Sequence, residues 1–331
     1  MRFVLVAGTT ETAAISGLSA AGADPTLMEH TPAADAEILE FGETVYTPET
    51  PVSPTGCPTP AVITRAVREL VNFDLVVIDA GLTTETAVPT VSFADTGGED
   101  IRDEVAVPDA QAIVDRARRF SESIPDDHLI IGETIPGGTT TALGVLTALG
   151  KSYNVSSSLP ENPHALKESV VQTGLVRSGM YPGDASGDPL QAVRCMGDPV
   201  LAGISGLVMG ALHRDIAITL AGGTQMIAVA ALVRHWGYQE PFEISTTSFI
   251  KQDEPSIETA AADLNLSLHV TDPAFDVSDH QALSGYVNGE GKEGVGMGGA
   301  LWLAKEAGIS MDALREHSIT CYERMVEKDG S

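Results

Sequence analysis

Two carboxylates set among glycines are the groups of this chain best suited to chemistry. The first is Glu133, in the stretch GETIPGGT at residues 132–139. The spacing is that of a phosphate-binding P-loop, G-x-x-x-x-G-K-[ST], but Gly138 stands where the lysine should be. Three readings compete: a damaged nucleoside-triphosphate loop, a structural turn, and a loop for a single phosphate. Gly137 and Gly138 allow positive φ and close backbone approach. Thr139, Thr140 and Thr141 add hydroxyls, and a helix beginning near Thr139 turns its N–H groups and dipole toward an anion. Without the lysine the β- and γ-phosphates lose their point charge, so one phosphate suits the loop better than three. A carboxylate beside a phosphate repels it, so Glu133 makes sense facing a sugar or a cationic leaving group.

The second carboxylate is Glu293, in GEGKEGVGMGGAL at residues 289–301. Five glycines fall between 291 and 299, and a helix, ALWLAKEAG, follows. Composition alone reads this stretch as a flexible surface loop. Glu290 and Glu293 become candidate bases if their surroundings raise their pKa values.

Both loops need a frame. Apolar, β-branched runs begin near residues 3, 74, 128, 216, 242 and 266, and most are continuous rather than alternating, as buried parallel strands are. Helical patterns lie between them, at 58–71, 108–123, 139–149, 162–178, 198–213, 223–236, 255–264 and 298–328, the last broken near Ile309. This alternation predicts a three-layer α/β fold, a mostly parallel, open, Rossmann-like sheet with helices on both faces. One domain spans 1–331, with a small helical subdomain from about 300–328 and N-terminal pieces. Asp198-Pro199 marks a helix start and Gly150 a helix end. Gly203, Gly206 and Gly210 lie on one helix, where they allow close packing. Two stretches, 40–58 and 150–162, read as long loops of the kind that carry function. Asp79 ends a strand and either reaches the site or caps a turn. Arg102 contacts an anion or pairs with Asp100. His213 and His235 read as helix-surface residues.

Composition narrows the function. The formal charge is −27, from 46 acidic and 19 basic residues, which argues against binding nucleic acid through its phosphates. The acid excess is spread along the whole chain and only six residues are lysine, the pattern of a salt-adapted protein. Cys57, Cys195 and Cys321 form no C-x-x-C pair, and no metal-ligand cluster stands out. The apolar run after Arg2 is too short for a signal peptide or a membrane span. A cytoplasmic protein is the expectation.

Taken together, the loops resemble a known family. KEGVGMGGALWLA is similar to the C-terminal E-G-x-G-x-A-L signature of nicotinate-nucleotide:dimethylbenzimidazole phosphoribosyltransferases. IGETIPGGTTTALGVLTALG resembles that family's phosphate loop, and NPHALKESVV its lysine-bearing segment. MGDPVLAGISGLVMGALHRDIAITLAGGTQMIAVAALV resembles its helix–strand–glycine–helix segment. AGTTETAAISGLSAAGADP and GEDIR resemble the archaeal branch, and the likeness covers residues 1–310. Bacterial members carry Asn-Thr-Thr where this chain has Gly138-Thr139-Thr140, and the segment gripping the dimethylbenzimidazole ring has no clear counterpart here.

The resemblance implies transfer of ribose 5-phosphate from nicotinate mononucleotide to dimethylbenzimidazole or a related benzimidazole or purine base, in cobalamin biosynthesis. A β-linked donor becomes an α-linked product, so one inverting displacement at C1′ is implied. Glu293 matches the family's general base, and Glu133 would stabilise positive charge on the ribose. Gly137, Gly138, Thr139, Thr140 and Thr141 with Lys167 would anchor the phosphate; Gly222, Gly223, Gly294 and Gly296 would give close approach to the flat base. No metal or redox cofactor is implied, and a homodimer is. A protein that binds a nucleotide or cobamide precursor without turnover is the alternative.

Overall fold

The computed structural model describes residues 1–19, 25–48, 50–53 and 55–329. Residues 20–24 of the N-terminal stretch that resembles the archaeal branch, and residues 49 and 54 of the expected loop at 40–58, lie outside them. Among the described residues the chain forms, in order, β1 (Arg2–Ala7), α1 (Thr31–Phe41), α2 (Ala61–Val71), β2 (Leu75–Ala80), β3 (Thr90–Ala94), α3 (Ala110–Ser123), β4 (His128–Thr134), α4 (Gly138–Ala148) and α5 (His164–Arg177). There follow α6 (Pro189–Met196), α7 (Pro199–His213), β5 (Ala217–Ala221), α8 (Thr224–His235), β6 (Phe242–Thr247), α9 (Ser248–Asp253), α10 (Ile257–Asp263), β7 (Leu266–Thr271), α11 (Gln281–Val287), α12 (Met297–Glu306) and α13 (Met311–Asp329).

The strands make one sheet in the order β3-β2-β1-β4-β5-β6-β7, and every ladder is parallel. The alternation of apolar strands and helices is therefore met by the expected open α/β architecture. Continuous apolar runs are explained by burial on both faces. Along β1, Val4 and Val6 enter one core and Phe3 and Leu5 the other. The first core lies under α3 to α8 and α10; the second lies under α1, α2 and α11 to α13. The chain builds outward from β1 through β2 to β3, then returns to place β4 on the other side of β1. In open α/β sheets the crevice at such a reversal, outside the carboxyl ends of the strands, is where ligands bind.

Some elements escape the sequence pattern. β3 begins with three exposed residues and offers too short an apolar run to register. α1 carries Asp35 and Glu37, which read as surface residues yet are 2% and 0% exposed. Burial would raise Glu37, but backbone N–H groups of Val45, Ala87, Tyr46 and Thr47 outweigh it and hold its carboxyl below the usual value. Glu37 thereby ties the 42–60 segment to the core. The run FEISTTSFI divides at Thr247, whose hydroxyl caps α9 by accepting from Ile250 N at 3.3 Å. The break expected near Ile309 falls between α12 and α13.

On α7, a Cβ at Gly206 would stand 2.4 Å from Val114 O, and one at Gly210 2.4 Å from Arg118 O. These glycines let α7 seat directly on the backbone of α3. No helix among the described residues is long and apolar enough to cross a membrane.

The formal charge of −27 sets up an expected dependence of stability on salt. Self-repulsion acts over about 30 Å at 0.01 M salt and about 3 Å at 1 M. The melting temperature is expected to rise steeply from low to molar KCl, measured by circular dichroism. A flat curve would refute salt adaptation.

Candidate active site

A pocket opens over the carboxyl ends of β4 and β5. Distant parts of the chain wall it, among them Pro51–Ser53, Cys57–Pro60, Asp35 on α1, Glu133–Thr139, Ser156–Ser158, Gly223–Gln225 at the start of α8, and Gly291–Val295. Both long loops expected to carry function supply part of the wall.

Glu133 is the penultimate residue of β4, paired across from Val6. It is 5% exposed. Burial first, then the negative charges of Glu293, Asp198 and Asp35, push its carboxyl up to about 8. Glu293 sits opposite on the second glycine loop. Burial pushes it up to about 7, against the N–H groups of Gly298 and Gly294 and the Thr246 hydroxyl. The Gly298 N–H reaches Glu293 Oε1 at 2.8 Å and the Thr246 hydroxyl reaches Oε2 at 3.4 Å. The two glutamate loops are joined directly: Val295 N donates to Glu133 O at 2.7 Å. A Cβ on Gly132 would fall 2.6 Å from the Gly296 Cα, so that docking requires glycine on both sides.

The phosphate-loop candidate forms the start of α4. Gly137 is the N-cap with φ 79°, and Gly138 begins the helix. A Cβ at Gly138 would fall 2.3 Å from Gln225 Nε2, so the starts of α4 and α8 meet here. The positive ends of the two helix dipoles thus come together at the pocket that the two glutamates line.

The structure brings Glu133, Gly137, Gly138, Thr139, Gly223, Glu293 and Gly294 to this pocket. The other expected residues sit behind its walls. The Thr141 hydroxyl donates to Asp198 Oδ2 at 2.5 Å, tying α4 to the N-cap of α7. Thr140 Oγ1 is buried with no hydrogen-bond partner among the described residues. Lys167 is fully buried and its ammonium donates to Ser156 O at 2.7 Å. Burial lowers its pKa to about 7, opposed by Asp253. Lys167 thus supports the serine stretch from behind. A Cβ at Gly222 would meet Met226 Cγ at 2.8 Å, and one at Gly296 would meet Phe3 Cζ at 2.6 Å. These two glycines serve packing. Asp79 caps the turn after β2, accepting from Gly81 N at 2.9 Å and Leu82 N at 2.8 Å, and Arg102 pairs with Asp100 at 2.6 Å.

Asp35 and Lys292 also line the pocket, and sequence reasoning missed both. Asp35 accepts from Thr59 Oγ1 and Thr134 Oγ1, each at 2.6 Å, and burial pushes its pKa up to about 6. Its partners lie in separate parts of the chain, so no local motif announces it. Glu290 is a clasp: its carboxylate accepts from Ser53 and, at 2.5 Å, from Thr55, closing the proline-rich segment over the pocket. Among the described residues one group of metal-ligating atoms comes together, Glu69, His317 and Cys321. It lies between α2 and α13, and Glu69 there already accepts from Arg65, Arg324 and His317.

A parallel sheet with a glycine loop leading into a helix at the strand reversal is an arrangement that many proteins binding phosphorylated ligands share. A phosphoribosyltransferase family model matches residues 61–267, and the chain belongs to that family. A UPF0284 protein of Halobacterium salinarum is 58% identical over 325 residues, covering 98% of each chain. A UPF0284 protein of Methanosarcina mazei is 43% identical over 319 residues, covering 95% of this chain and 91% of that one. Among solved structures, CobT from Thermus thermophilus matches with a TM-score of 0.63 at 17% identity, covering 97% of this chain and 83% of that one. A nicotinate-nucleotide-dimethylbenzimidazole phosphoribosyltransferase from the same organism matches with a TM-score of 0.59 at 17% identity, covering 93% of this chain and 86% of that one. The structural likeness is one of fold.

Proposed function

We propose that the pocket transfers ribose 5-phosphate from nicotinate mononucleotide to dimethylbenzimidazole or a related base, releasing nicotinate and an α-ribazole-type phosphate. The observation that carries this reading is the placing of two buried carboxylates, Glu133 and Glu293, on facing loops beside the paired starts of α4 and α8. A protein that only stored an anion would gain nothing from two carboxylates there.

In this reading the single phosphate of the donor sits on the N–H groups of Gly137 and Thr139 at the start of α4, where no lysine is needed. Glu293 takes the N–H proton of the accepting azole as its other nitrogen attacks C1′. The C1′–N bond to the pyridinium breaks, its electron pair stays on the pyridine nitrogen, and neutral-ring nicotinate leaves. Glu133 is raised towards neutrality by burial. The cationic pyridinium lowers that pKa as the donor binds, so Glu133 releases its proton to solvent, and the carboxylate then stabilises the oxocarbenium-like ribose.

The test is to incubate the protein with nicotinate mononucleotide and a panel of azole and purine bases in molar KCl, and to measure free nicotinate. Equimolar nicotinate and an α-linked nucleotide are expected for at least one base. Donor binding without nicotinate release would leave the non-catalytic alternative standing. Gly138→Ala places a methyl against Gln225 and should raise the donor KM by about 10–100-fold, the loss of one or two hydrogen bonds to a charged group. Unchanged KM would remove the phosphate from this loop.

A further inference from the structure

Lys292 immediately precedes Glu293 and is 4% exposed. An ammonium has three protons to donate, and here each finds an acceptor. Lys292 Nζ donates to Ser157 O at 3.0 Å and Leu159 O at 2.8 Å, and pairs with Asp253 Oδ1 at 3.1 Å. Asp253 in turn accepts from the Ser156 hydroxyl at 2.6 Å, and Ser156 N donates to Thr224 Oγ1 at 3.0 Å. One side chain therefore joins the second glycine loop, the end of α9, the serine stretch and, through Ser156, the start of α8. The serine stretch, the start of α8 and the glycine loop all wall the pocket.

The backbone of Lys292 is fixed as well. Thr247 Oγ1 donates to Lys292 O at 2.7 Å, while the preceding Thr246 reaches the Glu293 carboxylate. The end of β6 thus grips residue 292 by its carbonyl and residue 293 by its side chain. Any shift of Lys292 passes to Glu293 through one peptide unit. Charge-assisted hydrogen bonds of this kind are the strong ones and are directional. Neither a solvated lysine nor an anion-seeking one would commit all three donors to protein atoms.

We propose that Lys292 is a positioning residue, which holds the Glu293 loop at a fixed separation from the Ser156–Ser158 strap across the pocket. Only the kinetic part of this rests on the transferase reading. The geometry part stands on the bonds above.

The test uses the full chain carrying Lys292→Met, which keeps the length and apolarity of the stem and removes the donors. Hydrogen exchange by mass spectrometry should show faster exchange, by at least about tenfold, in peptides covering 156–159 and 293–298 together, with β1 and β5 unchanged. With nicotinate mononucleotide and an accepted base, kcat should fall about 10²-fold, the cost of misplacing a reacting group by about an ångström, while the donor KM stays within about threefold. The acidic limb of the kcat profile should move to lower pH, because a loosened Glu293 gains water and loses the burial that raises it. Lys292→Arg keeps a charged donor fork and should recover at least about tenfold of the loss. Asp253→Asn, which leaves both carbonyl contacts of Lys292 intact, should loosen the same two segments to a smaller degree, and it decides the matter if Lys292→Met does not fold. Faster exchange at 293–298 alone would overturn the proposal. So would a loss of kcat that follows melting temperature with no change in pH profile. If the wild-type chain releases no nicotinate with any base, the transferase reading fails, and the exchange experiment still decides this one.

Discussion

Replacing Glu293 with Gln should lower kcat by about 10²–10⁴-fold, the usual loss on removing a general base. The KM for nicotinate mononucleotide should stay within about threefold, because in the proposed reaction the donor is held by its phosphate at the start of α4. Gln keeps the shape of the side chain and still accepts the Gly298 N–H, which reaches Oε1 at 2.8 Å in the wild type. What it lacks is a site for the acceptor's proton. The pH profile gives an independent sign. A base must be ionised to act, and burial raises Glu293 to about 7. Wild-type kcat should therefore fall about tenfold per pH unit below that value, and the limb should vanish in Glu293→Gln. Near-normal turnover by that variant on an azole whose proton must leave would sink the assignment. Glu290→Gln makes an instructive contrast. Its carboxylate closes the proline-rich segment through Ser53 and Thr55, so that variant should loosen residues 50–57 and raise the acceptor KM without moving the pH limb.

The second large effect concerns stability. Glu133 has its carboxyl raised from 4.5 to about 8 in the folded chain, by burial and then by Glu293, Asp198 and Asp35. A folded pKa above the unfolded one means that the native state holds a proton which the unfolded chain releases. Stability from this source is complete below about pH 4.5 and is lost as pH rises through about 8. Each unit of such a shift corresponds to about 1.4 kcal/mol, so several kcal/mol are at stake. Glu293, raised to about 7, acts in the same sense as a neighbour of Glu133. The melting temperature in molar KCl should fall by many degrees between pH 5 and pH 9. Glu133→Gln should flatten that slope, leaving the part due to Glu293, Asp35 and Asp198, and be more stable than wild type at pH 8.5. A melting temperature flat across this window would show that Glu133 is ionised at little cost. Substrate adds a check on the chemistry: nicotinate mononucleotide brings a pyridinium to Glu133, so its binding should release protons to buffer near pH 7.

The frame of this molecule is legible in its sequence where burial makes long patterns. A strand such as FVLVA, apolar at every position, can only lie inside a sheet covered on both faces, and β1 does. The pattern fails where burial is achieved by pairing rather than by apolarity. α1 buries Asp35 on two threonine hydroxyls and Glu37 on backbone N–H groups, so its sequence looks exposed. The site divides in the same way. Glu133, Glu293 and the glycines of α4 are announced locally, because helix starts and close approaches need particular neighbours in the chain. Asp35, Lys292 and Glu290 do their work across separations of 99, 135 and 237 residues, which no local spacing encodes. Lys167 was legible as a residue near the site, but not as one that faces a carbonyl.

The docking of Gly296 on Gly132, with Val295 bonded to Glu133, carries a consequence for how the chain comes to have a site at all. One wall of the pocket, at Glu133, emerges from the ribosome 160 residues before the opposing one at Glu293. A nascent chain that has completed β4 and α4 holds Glu133 and the first glycine loop but not the opposing Glu293, and a proteolytic cut between α4 and α12 breaks the covalent link between the two. A substrate that touches both glutamate loops therefore acts as a reversible cross-link between distant stretches of the polypeptide, and its protection is felt by the whole molecule rather than by one loop.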